Sequence, residues 1–114
     1  MRVVLPLPPP TNNLFFTAAH GKRVKSEAYT EWLNVAGWLV MGSAQKRKFS
    51  GPYVFEMSVP TKDRADVDGR IKAALDLFVK LGITPDDRHC RRVACERSDE
   101  VPQGKCVIMI DEAA

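Results

Sequence analysis

Midway along this chain the hydrophobic period changes, and the change limits what can be built. The segment "GPYVFEMSVP" alternates, with Tyr53, Phe55, Met57 and Val59 on one side and Glu56 and Ser58 on the other, as a half-buried strand does. A few residues on, "GRIKAALDLFVKLG" repeats at intervals of three and four and sets Ile71, Ala74, Leu75 and Phe78 on one helical stripe. That helix is predicted to open near Asp68 or Gly69 and to close at Gly82 with a glycine cap. Beyond Pro85, "CRRVACERS" and "KCVIMIDE" read as strands joined by "DEVPQGK", whose Pro102 and Gly104 suit a hairpin connection. A helix between strands, each with one apolar face, buries those faces by packing on the sheet.

The amino-terminal half completes the pattern. Val3 to Leu7 is expected as an edge strand, three consecutive prolines force an extended exit from it, and Asn12 and Asn13 favour a turn. "LFFTAAHGKRVK" is expected as an irregular loop with Gly21 near its tip. Ser26 suits the cap of a helix running to about Ala44, with Tyr29, Trp32, Leu33, Val35, Ala36, Leu39 and Val40 on its apolar face. The "KRK" that follows complements a helix C-terminus electrostatically. The resulting order, β-α-β-α-β-β, predicts an α+β fold: a single domain over residues 1–114, with two helices packed on a mixed sheet.

At 12.7 kDa the chain is long enough to bury roughly two thirds of its unfolded surface, so the fold needs no covalent staples. The three cysteines, Cys90, Cys95 and Cys106, are odd in number and lack zinc-binding spacing, and they are read as buried thiols. His20 and His89 have no partner at ligand spacing, although His89 adjoins Asp86 and Asp87. No apolar run approaches the ~18 residues of a membrane span, and "MRVVLPLPPP" does not read as a secretory signal. A cytoplasmic protein with no membrane partner is expected.

Charge is distributed unevenly. The net charge is +3, and the cations fall in blocks: Lys22, Arg23 and Lys25; Lys46, Arg47 and Lys48; Arg88, Arg91 and Arg92. Such blocks are compatible with a polyanion, because each phosphate neutralised releases condensed counterions. They also suit solvated loops and helix ends. The acids concentrate elsewhere: six of fourteen fall in residues 63–87, "DRADVDGRIKAALDLFVKLGITPDD".

In extended backbone, Asp66 and Asp68 would point the same way with α-carbons about 6.6 Å apart, so both carboxylates could reach one cation. Mg²⁺ takes hard oxygen ligands and usually only one or two from protein. Lys72, four residues after Asp68, would lie one helical turn away and reach the same space. The ordinary alternatives are an N-cap at Asp68 and a solvent-exposed acid–lysine pair. Asp86 and Asp87 follow the helix, and either joins the first pair only if the next strand leads back beside the strand before the helix.

"RADVDGRIKAALDLFVKLGITPDDRH" resembles the signature of the RusA family of Holliday junction resolvases, in which Asp-x-Asp opens a helix with Lys four residues on and Asp-Asp follows that helix. "LPLPPPTNN" resembles the family's Pro-rich start, and "GKRVKSEAYTEWLNVAG" has the character of its basic loop and first long helix. The similarity spans nearly the whole chain. It implies that Asp66, Asp68 and Asp87 bind metal and catalyse, with Lys72 as the basic catalytic residue and Asp86 as a neighbouring acid. It further implies Mg²⁺, for which Mn²⁺ substitutes, a homodimer, four-way DNA junctions as the substrate, and a bacterial or phage-infected cell as the setting. Gly69 departs from the family's usual Asn after the second aspartate, and Ala65 from its usual Pro or basic residue before the first.

The expected function is therefore a Mg²⁺-dependent endodeoxyribonuclease that resolves junctions by paired symmetric nicks in recombination and repair. Branch selectivity without base reading requires phosphate contacts, for which Lys22, Arg23, Lys25, Arg88, Arg91 and Arg92 are the candidates. Phe15 or Phe16 is the candidate for a wedge at the junction centre, or for pinning its loop to the core. Two other readings fit parts of the pattern: a non-catalytic DNA-binding module, and a small metal-dependent phosphohydrolase acting on nucleotides.

Overall fold

Six strands and two α-helices form in the order β1 (Arg2–Pro6), β2 (Phe15–Thr17), β3 (Arg23–Lys25), α1 (Glu27–Met41), β4 (Tyr53–Pro60), α2 (Ile71–Lys80), β5 (Cys90–Ser98) and β6 (Lys105–Glu112) in the computed structural model, which covers residues 1–114. The main sheet has the order β1-β6-β4-β5, with β4 and β5 parallel and the other neighbours antiparallel. This is the expected α+β architecture with a mixed sheet.

The helices cover one face of the sheet. Phe55 and Phe78 meet edge-to-face with ring centroids 5.7 Å apart, which locks α2 over β4. Leu5, Phe55, Met57, Ile108 and Ile110 point into the same core. On the other face, Arg92 pairs with Glu56 and Ser58 Oγ donates to Glu96, so that side is polar and open.

Ser26 caps α1 as expected, its hydroxyl accepting from the Tyr29 N–H at 3.1 Å. The helix stops at Met41 rather than Ala44, because Gly42 closes it. Its buried stripe is Tyr29, Trp32, Ala36, Gly37 and Val40, and Trp32 Nε1 donates to the Pro6 carbonyl at 2.8 Å. Val35 and Leu39, expected on that face, lie exposed together with Trp38 and Met41. The apolar set of α1 is thus wider than the surface the sheet covers. The "KRK" segment lies beyond the last turn, where Arg47 pairs with Glu112 and stacks on Phe49 instead of serving the helix end.

Helix α2 ends as the sequence predicts. Gly82 adopts φ 73° while the Ile83 and Gly82 N–H groups donate to Phe78 O and Val79 O, both at 3.0 Å. Its start is later than expected, at Ile71, because residues 67–70 form a turn. The stretch expected as an irregular loop contains a hairpin, with Phe15 opposite Lys25 and Thr17 opposite Arg23. Its tip passes through His20 (φ 66°) and Gly21 (φ 73°). Strands this short carry too few alternations to register as a period.

Of the cysteines, only Cys106 is buried, and burial pushes its thiol up to about 12. Cys90 and Cys95 are half-buried on β5. No helix is long and apolar enough to cross a membrane.

Candidate metal and nucleic-acid site

The segment between β4 and α2 carries the first two aspartates, and hydrogen bonds hold it in a compact shape. Arg70 forks onto the Asp63 carboxylate (Nε to Oδ2 2.9 Å, Nη2 to Oδ1 2.8 Å) and donates Nη1 to Pro8 O at 2.6 Å. The Asp63 side chain is nearly inaccessible, and its hydrogen bonds from Arg70 hold its carboxyl below the ordinary aspartate value despite that burial. Gly69 N–H donates to Asp66 O at 2.8 Å, and Thr11 donates both its N–H and its hydroxyl to Gly69 O. A Cβ at Gly69 would come within 3.1 Å of Asp66 O, so a side chain there would have to open the turn by a few tenths of an ångström.

This cage places Asp66 and Asp68 on one open, polar concavity of about 460 Å³, together with Pro10, Thr11, Asn12, Arg64, Ala65 and Gly69. Neither carboxylate has an ion-pair partner within the chain. Two unpaired carboxylates on one solvent-open wall fit a Mg²⁺ ion, which takes one or two protein oxygens and fills the rest with water or phosphate.

The third aspartate is elsewhere. No group of three or more His, Cys, Asp or Glu side chains is arranged to hold a metal. Asp87 opens a 3-10 turn before β5 and raises the pKa of nearby Tyr53 and Cys90, adding to the larger effect of burial. Asp68 adds in the same way to the effect of burial at Cys95. Cys90 and Cys95 pair with Tyr53 and Met57 of β4, positions a strand rise of about 3.3 Å per residue sets about 13 Å apart. Two oxygens on one Mg²⁺ are at most about 4.2 Å apart. The parallel return does bring β5 beside β4, but it sets the start of β5 at the start of β4, while Asp66 and Asp68 follow its end. Asp86 serves the local structure, since its carboxylate caps the turn by accepting from Arg88 N–H at 3.0 Å, and that bond lowers its pKa.

Lys72 also departs from expectation. With α2 starting at Ile71, Asp68 lies before the helix and is not its N-cap, and Lys72 Nζ pairs with Asp76 at 3.3 Å. The pair is exposed and worth a few tenths of a kcal/mol. Lys72 therefore stays available to an anion at small cost.

The candidate DNA contacts separate into two places. Lys22, Arg23 and Lys25 sit on the β2–β3 hairpin or its turn, and the hairpin's own concavity (Phe15, Phe16, Thr17, Gly21, Arg23) shares Thr11 and Asn12 with the aspartate concavity. Phe15 is pinned: it packs edge-to-face on Tyr29 at 5.7 Å and carries Arg23 stacked at 4.1 Å. Phe16 points outward, 53% exposed. Arg88 and Arg91 lie by the start of β5, whereas Arg92 is tied to Glu56 on the open face of the sheet. Arg64, Thr11 and Asn12 lie within the stretches that resemble the RusA signature, but nothing in their spacing marks them individually as site residues.

Edge strand β5 has a further property. Val93 stands opposite Phe55, on the side of the sheet that the helices cover, yet is 47% exposed. Comparison with known proteins returns no matching family model and no matching curated protein.

Proposed function

We propose that the chain is a Mg²⁺-dependent endonuclease of branched DNA, acting as a homodimer. The observation that carries this is the Asp66–Asp68 pair: two carboxylates free of any protein cation, on one open concavity continuous with an exposed basic, aromatic hairpin. Bound there, Mg²⁺ would supply an acidified water and charge neutralisation for phosphodiester hydrolysis. Asp66 and Asp68 would hold the ion, Lys72 would turn from Asp76 to the phosphate, and Lys22, Arg23 and Lys25 would hold the flanking backbone. Phe16, rather than Phe15, is the side chain free to enter an opened base step.

The resemblance to RusA resolvases supports this reading, and the separation of Asp87 refines it. A second copy can supply the third carboxylate. Antiparallel pairing of two β5 edges about Ala94 would set Arg92 against Glu96, Val93 against Cys95 and Arg91 against Arg97 of the other copy, and would cover the exposed Val93. It also brings the Asp87 end of one strand to the Asp68 end of the other. The two-fold axis so formed matches that of a four-way junction.

Asp68→Asn is expected to abolish Mg²⁺-dependent nicking of a synthetic four-way junction while leaving junction affinity at the parental level. Parental nicking rates in that variant would refute the assignment. Junction binding that is indifferent to divalent ions, with no nicks from the parental protein, would favour a binding module instead.

A further inference from the structure

Arg97 lies at the far end of β5, outside the aspartate concavity, and its guanidinium crosses to the segment before α2. Nη1 donates to the carbonyl of Asp63 and Nη2 to that of Ala65, both at 2.7 Å. The Ala65 carbonyl belongs to the peptide that carries the Asp66 nitrogen, so the second bond fixes the plane from which Asp66 departs. Asp63 is held twice, through its carboxylate by Arg70 and through its carbonyl by Arg97. These bonds differ in kind. The Arg70–Asp63 pair is buried, whereas Arg97 is exposed and its fork spans two backbone oxygens of one loop.

We propose that Arg97 is a positioning residue for the Asp66–Asp68 metal pair, acting through the Ala65–Asp66 peptide and not through contact with metal or DNA. The inference rests on the metal reading above. A fork is required, because two carbonyls are engaged at once, and a lysine ammonium on a flexible stem does not reproduce that planar geometry. Groups that orient metal ligands typically govern about 10- to 100-fold in affinity. Replacing Arg97 removes no core side chain, so the effect should appear at the metal before it appears in the fold.

The test is a Mn²⁺ titration followed by electron paramagnetic resonance on the parental protein, Asp68→Asn, Arg97→Ala and Arg97→Lys, with a thermal melt of each. Mn²⁺ affinity should fall about tenfold or more in Arg97→Ala and in Arg97→Lys, with melting midpoints close to parental. Should Arg97→Ala unfold, Arg97→Lys keeps the charge and stem and carries the comparison. Parental Mn²⁺ affinity in the folded Arg97 variants overturns the positioning role alone. A parental protein that binds Mn²⁺ no better than Asp68→Asn overturns the metal reading and this inference with it.

Discussion

Asp87 provides the sharpest test, because its place in the chain separates two arrangements of the site. If one copy supplies all three carboxylates, Asp66→Asn and Asp87→Asn each destroy their own copy's site, and no mixture of the two recovers activity. If the site is shared, the outcome differs. In a mixed dimer, Asp66 and Asp68 of the Asp87→Asn chain meet the intact Asp87 of the other chain, and the second site carries both lesions. Random pairing of equal amounts makes about half the dimers mixed, each with one sound site of two, so nicking should return to about a quarter of the parental rate.

The shared arrangement is proposed because Asp87 precedes the start of β5, which lies beside the start of β4, whereas Asp66 and Asp68 follow the end of β4, and about 4.2 Å is the most that two ligands of one Mg²⁺ allow. The assay is denaturing electrophoresis of an end-labelled junction after the two inactive variants are unfolded together and refolded. A single cut per junction should appear, without the paired cuts that release linear duplexes. An inactive mixture, with mixed dimers verified by differential tags, refutes the shared site.

Two other perturbations address the cage and the hairpin. Asp63→Ala leaves the partly buried Arg70 guanidinium with only its bond to Pro8 and should cost about 1.5–3 kcal/mol in urea unfolding; because the folded pKa of Asp63 lies below its unfolded value, its contribution is complete above that unfolded value, near 4, and is lost as pH falls through the folded one. Acid unfolding of the parental protein should therefore steepen below about pH 4, and a variant with an unchanged acid limb would contradict the linkage. Phe15→Ala should lower the melting midpoint by removing the Tyr29 contact, whereas Phe16→Ala should leave it unchanged and weaken junction cleavage. Equal melting losses in both would mean that Phe16 is packed as well.

What is legible in the sequence, and what is not, follows from the range over which each signal acts. The alternation in Tyr53–Val59 and the stripe through Phe78 mark out β4 and α2 because those periods are local and span several repeats. The glycine stop at Gly82 is local too. The start of α2 is not legible in the same way, because Asp68 and Gly69 have the composition of a cap while the hydrogen bonds of Gly69 run to Asp66 and Thr11, the latter remote in sequence. Arg97 and Arg70 cannot be recognised from composition at all: the carbonyls of Ala65 and Pro8 that they hold are far away along the chain.

Asp87 shows the deeper reason. The spacing Asp-x-Asp, helix, Asp-Asp suggests a last aspartate folded back onto the first pair, and one copy of a parallel β-α-β unit does the reverse. The helix carries the chain from the end of one strand to the start of the next, so residues flanking it are pushed to opposite ends of the sheet by its own length, about 15 Å for the ten residues of α2. Within one chain, closing that gap means giving up the β4–β5 register. In the proposed dimer it would close across a two-fold axis with the β4–β5 register kept, because antiparallel edges exchange ends. β5 has an apolar residue left open on its covered face and a free edge, and on reversal about Ala94 Arg92 meets Glu96 while Arg91 meets Arg97, so the charge term of such a pairing is mixed and the apolar cover of Val93 is what would drive it.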